Sequence, residues 1–113
     1  KVRAKLLEMT PQPVVEDLGA YTRALVYHLY EIDEILEGNI DAKRMIVAHW
    51  SLLDRKPASG VPSELGAFYH LEVEPLENNP QLKSERAFDD TSDLDAPIYF
   101  DMQTPSIQDS KSP

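Results

Sequence analysis

The chain has 113 residues, a formal charge of −9 and no cysteine. That length fits one domain with one core, the missing thiols exclude disulfides, thiolate catalysis and Cys-based zinc sites, and the charge disfavours nucleic acid and anionic lipid as partners. Residues 1–56 carry eight Lys/Arg against nine Asp/Glu and residues 57–113 three against eleven, so the acidity belongs to the second half.

Nine prolines and four glycines interrupt the chain often and favour short strands over long helices. No apolar run is long enough for a membrane-spanning helix, so direct membrane insertion is not expected. No basic segment precedes an apolar one at the start. A first residue of Lys1 rather than Met leads to the expectation of a trimmed domain or mature form, and of an extracytoplasmic location, periplasmic or secreted.

Residues 1–20 contain Lys5-Leu6-Leu7, the Pro11-Gln12-Pro13 break and Asp17-Leu18-Gly19. Prolines at alternate positions exclude a regular helix, so the stretch reads as an extended N-terminal arm or lead-in strand. Residues 21–37 fit two periods. As a strand, Ala24, Val26, His28, Tyr30 and Ile32 share a face, with Leu25, Tyr27 and Leu29 opposite. As a helix, Leu25, Leu29, Ile32 and Leu36 make an apolar stripe. Stiff and aromatic side chains (Tyr21, Thr22, Val26, Tyr27, Tyr30, Ile32 and Ile35) favour the strand, with a bulge expected at Asp33-Glu34 where the apolar phase slips. Glu37-Gly38-Asn39 then turns the chain into a second strand over 43–53, with Ile46, Ala48 and Trp50 on one side and Met45, Val47 and His49 on the other.

Residues 55–62 hold two prolines and a glycine and read as a loop. The cleanest alternation is at 67–74, where Ala67, Tyr69, Leu71 and Val73 oppose Phe68, His70, Glu72 and Glu74. From Leu76 to Ala96 the chain is polar and acidic, a short strand follows at 98–100, and residues 103–113 read as a disordered tail. The expected architecture is one mostly-β domain over 21–102, a small antiparallel, partly open barrel with an acidic loop.

The segment YEIDEILEGNIDAKRMIVAHW resembles the strand, glycine-containing turn and strand of OB-like barrels of the netrin-like and metalloproteinase-inhibitor type. The resemblance covers residues 21–74 and implies architecture alone, since those domains depend on disulfides this chain cannot form.

Three constellations could carry chemistry. His28, His49 and His70, each in an expected strand, could converge on a divalent metal if the strand register aligned them. Asp89, Asp90, Asp93 and Asp95 offer hard oxygen ligands suited to calcium, without EF-hand spacing or its glycine. Trp50 with Tyr27 and Tyr69 could form an aromatic platform for a saccharide or peptide, unless Trp50 is the main core residue of a small barrel. No nucleophile elbow, phosphate-cradling glycine loop or marked carboxylate pair occurs, so neither a catalytic residue nor a cofactor is expected. The function expected from these residues is a non-catalytic interaction domain of an exported, bacterial-type protein that binds a protein or saccharide. The alternative is a metal-binding protein or metal-dependent hydrolase built on the three histidines.

Overall fold

The tyrosine-rich run is a strand. The computed structural model describes residues 1–103, and in it β2 (Ala24–Ile35) lies between β1 (Val2–Glu8) and β3 (Arg44–Leu53), antiparallel to both. β-Branched and aromatic side chains lose little freedom on a pleated surface, and a strand buried along most of its length gains more from two ladders than from internal helical bonds. The first 20 residues thus supply a core strand, in which Val2, Ala4 and Leu6 alternate inward and are fully buried.

The expected bulge falls at Asp33. Arg3 pairs with Glu34 and Ala4 with Ile32, which leaves Asp33 as the extra residue. Its carboxylate is held by the Arg3 guanidinium. A second slip leaves Leu7 of β1 unpaired between Leu6 and Glu8. Each adds local twist, which helps a long ribbon curl.

The remaining strands are β4 (Lys56–Pro57), β5 (Phe68–Leu71), β6 (Val73–Pro75), β7 (Arg86–Asp89) and β8 (Ile98–Asp101). The sheet runs β5-β1-β2-β3-β8-β6, with β4 added to β3 and β7 to β2. β5 and β6 are two halves of one stretch broken at Glu72, the first pairing with β1 and the second with β8, so a single bent segment serves both ends of the sheet. The result is a mostly-β domain whose curled sheet forms an open half-barrel, consistent with an OB-like topology. The sheet is mixed rather than purely antiparallel, because β8 joins β3 and β7 joins β2 in parallel. Parallel neighbours need a crossover, and the long segments after β3 supply it.

Two parts of the acidic stretch differ from the expected plain loop. Residues 76–84 form two short 3₁₀ turns, and Arg86–Asp89 form β7. Their sequences carry no period that marks them; the exposed edge of β2 recruits β7, which pairs only with Ala24 to Tyr27. The expected tail, from residue 104 on, lies outside the described residues.

The two faces of β2 and β3 are those that alternation gives. Inside the curl, Tyr30, Met45 and Val47 pack with Val2, Ala4, Leu6 and Leu71, and Tyr69, Val73 and Tyr99 close against them. On the outside, Leu25 and Ala48 pack with Leu82, flanked by Tyr27, Trp50, Leu76 and Phe100. Full burial of each large aliphatic side chain contributes roughly 1.5–3 kcal/mol, so the inner cluster is the main source of stability.

Candidate functional site

Three polar side chains alternate along the inner face of β2 and β3, and the fold must satisfy each of them. His28, Tyr30 and His49 are 1%, 0% and 1% exposed. The Tyr30 hydroxyl donates to His49 Nε2 at 2.7 Å, and His49 Nδ1–H donates to Asp101 at 2.8 Å. Acceptance by the Asp101 carboxylate fixes the hydrogen on Nδ1 and leaves Nε2 free to accept from tyrosine. The other Asp101 oxygen accepts the backbone N–H of Gln103 at 3.0 Å. Burial, and then the nearby Asp101, push the Tyr30 phenol well above its ordinary value.

The order carboxylate, imidazole, hydroxyl has the form of a nucleophile with its base and orienting group. It cannot act as one here, because Tyr30 has no exposed surface. What it does is satisfy three buried polar groups at once, and among the described residues no buried side-chain nitrogen or oxygen is left without a partner.

His28 stands beside His49, ring centroids 5.2 Å apart, at the floor of a cleft of about 360 Å³. Val26 and Ser51 complete the floor. One wall is Met9, Thr10 and Gln12, where Pro11 and Pro13 keep the backbone extended. The other wall runs from Pro57 to Ser63, turning at Gly60 with φ +84°. Both walls are tied to the floor. Thr10 N–H donates to His28 Nδ1 at 3.2 Å, and His28 Nε2–H donates to the Pro62 carbonyl at 3.1 Å. The Ser51 carbonyl likewise accepts from Ala58 N–H at 2.9 Å and from the Gln12 amide at 3.2 Å. Burial, and then the neighbouring His49, push the His28 imidazole down to about 4. Among the described residues no Asp, Glu, Lys, Arg, Phe, Tyr or Trp lines the cleft.

The residues singled out by sequence are distributed as follows. Of the three histidines, two meet. His70 is exposed on β5, opposite Arg3 of β1. His28 and His49 have all four ring nitrogens engaged in the bonds above, and among the described residues no group of three or more His, Cys, Asp and Glu is arranged to hold a metal ion. This speaks against the metal-dependent alternative.

Among the described residues the four aspartates are not gathered into a cation site either. Asp89 accepts from the N–H and hydroxyl of Thr91, and Asp93 accepts from the N–H groups of Asp95 and Ala96 while facing Arg44 at 4.0 Å. Asp90 contributes its own N–H to the Thr10 hydroxyl at 2.9 Å. These are turn-forming bonds of the kind Asp makes with nearby backbone.

Tyr27 and Trp50 share the outer cluster, whereas Tyr69 packs on the inner one and its hydroxyl accepts from Glu64 N–H. Trp50 is half-buried, with the Arg23 guanidinium 5.0 Å from its ring centroid and forked onto Glu85. The three aromatics therefore form no single platform.

Thr10, Pro62 and Asp101 are the residues that sequence reasoning missed. Their partners lie 18, 34 and 52 positions away, a separation that carries no pattern. The available signal was indirect: three polar residues at alternate positions of inward faces demand partners from elsewhere in the chain. Comparison with known proteins finds no matching family model, no matching curated protein and no matching solved structure.

Proposed function

We propose that this domain is a non-catalytic binding module, and that the cleft above His28 takes an uncharged, partly aliphatic segment of a partner protein. The observation that carries the reading is the cleft itself. It is large enough for a few side chains, mixes aliphatic walls with hydroxyl and backbone groups, and carries no charge on a chain of −9. A neutral lining gives a charged ligand nothing to offset its loss of water. A peptide is favoured over a saccharide because, among the described residues, no Phe, Tyr or Trp stands in the cleft for a sugar to stack on. The netrin-like and metalloproteinase-inhibitor likeness belongs to this proposal as architecture only, supported by the strand order.

The test is a titration of the ¹⁵N-labelled protein with uncharged peptides rich in Val, Pro and Ser, and in parallel with neutral oligosaccharides. The expected result is saturable shifts of the Thr10, Gln12 and Ala58–Ser63 amides with peptide, lost in Val61→Asp. Two outcomes overturn it: shifts confined to Tyr27 and Trp50 on adding saccharide, or saturable peptide binding that survives Val61→Asp unchanged.

A further inference from the structure

We propose that His28 is a pH-sensitive clasp on the cleft, which on protonation releases the wall at residues 9–12 while keeping the wall at 57–63. If the cleft is the binding site proposed above, a partner is then held at neutral pH and let go in acid.

The geometry sets the asymmetry. Nδ1 accepts from Thr10 N–H, which requires a lone pair, and Nε2–H donates to Pro62. A second proton goes to Nδ1, where two hydrogens then face each other across the former bond. The bond on the Nε2 side survives and strengthens, because its donor becomes charged. One wall is repelled as the other is gripped.

Thr10 carries the change further. Its hydroxyl donates to the Tyr27 carbonyl at 2.5 Å and accepts from Asp90 N–H at 2.9 Å, so a shift of Thr10 strains the tie to the acidic loop after β7. That loop keeps a second tie two residues on, where Ser92 donates both its N–H and its hydroxyl to Glu8. The cleft wall and the acidic loop are thus coupled through one threonine.

The groups facing His28 can be named element by element. Segment 9–12 presents Thr10 and no charge, and loop 57–63 presents Pro62 and no charge. β3 presents the His49 ring, behind which lie Tyr30 and Asp101. On β2 the neighbouring Tyr27 faces outward towards Asp89. Among the described residues no carboxylate touches the His28 ring; burial and the neighbouring His49 outweigh the Tyr27 and Pro62 carbonyls that favour its charged form, so the clasp opens in acid rather than at neutral pH.

The test needs no ligand, so its failure is separable from failure of the binding reading. Amide exchange protection is measured on the full ¹⁵N-labelled chain between about pH 7 and about pH 4, with the His28 ring nitrogens followed in the same samples. The expected result is that Thr10 protection falls by up to about tenfold per pH unit as pH drops from the ordinary imidazole value near 6.5 towards about 4, while the β2–β3 ladder amides keep theirs. In His28→Gln, whose amide can accept from Thr10 and donate to Pro62 without titrating, Thr10 protection stays flat. The variant retains Glu8, Asp89 and Asp90, so it separates the imidazole from nearby carboxylates. Loss of Thr10 protection in step with the ladder amides, or a protonated His28 with Thr10 unmoved, overturns the proposal. An equal fall in the Gln variant also overturns it. If that variant does not fold, the wild-type ring titration set against Thr10 and the ladder amides decides alone.

Discussion

Tyr30 and His49 are joined by a 2.7 Å hydrogen bond although they are not opposite each other in the β2–β3 ladder, where Tyr30 pairs with Met45 and His49 with Val26, and the same imidazole is held on its other side by Asp101. Both side chains are buried, so neither polar group has solvent to turn to when the other is removed.

Tyr30→Phe is therefore expected to destabilise the fold by about 1–3 kcal/mol, since it leaves His49 Nε2 buried and unpaired. Urea denaturation at neutral pH reads this as a lower midpoint at unchanged slope. Combining it with Asp101→Asn should cost less than the sum of the two single changes, because both act on one imidazole.

Stability should also depend on pH through His28. Its folded value, about 4, lies below the unfolded value near 6.5, so the unfolded chain binds the extra proton between the two. The contribution is complete above the unfolded value and declines as pH falls from there through about 4, amounting to about 3 kcal/mol. Urea midpoints taken across that window should slope less in His28→Gln than in the wild type, the remaining slope belonging to carboxylates such as Glu8. A wild type flat over this range would refute the assignment.

Gly38→Ala isolates a backbone effect. Gly38 has φ +91° and nothing within 4 Å of where a Cβ would stand, so the added methyl meets no neighbour. The cost is conformational strain alone, about 1–2 kcal/mol, and thermal denaturation should show it with the sheet's far-UV spectrum unchanged.

Glu8→Gln should loosen the acidic loop without loosening the barrel. The two Ser92 donors hold the Glu8 carboxyl below its ordinary value, a contribution present above the unfolded value and lost in acid. Faster amide exchange at Ser92, with the urea midpoint unmoved, is the expected outcome; equal loss of protection across β1 and β2 would contradict it.

Much of the fold was legible from the residues because it is local. The two faces of β2 and β3 follow from alternation, the bulge at Asp33 follows from the slip in apolar phase, and the turn at Gly38 follows from its freedom at positive φ. β7 was not legible. Arg86 to Asp89 become a strand only because β2 offers an unpaired edge, and nothing in four residues announces a neighbour about 60 positions away.

The candidate site divides the same way. Sequence by itself determined that His28 and Tyr30 share one face of their strand and that His49 lies opposite Trp50 on the next, since a strand's side chains alternate whatever surrounds it. Only the tertiary structure decided what they meet. Asp101 reaches His49 because β8 lies parallel to β3, and Thr10 and Pro62 reach His28 because two irregular segments fold over the sheet. Such bonds depend on register and loop path, which are set by the whole core closing at once rather than by the residues that make them.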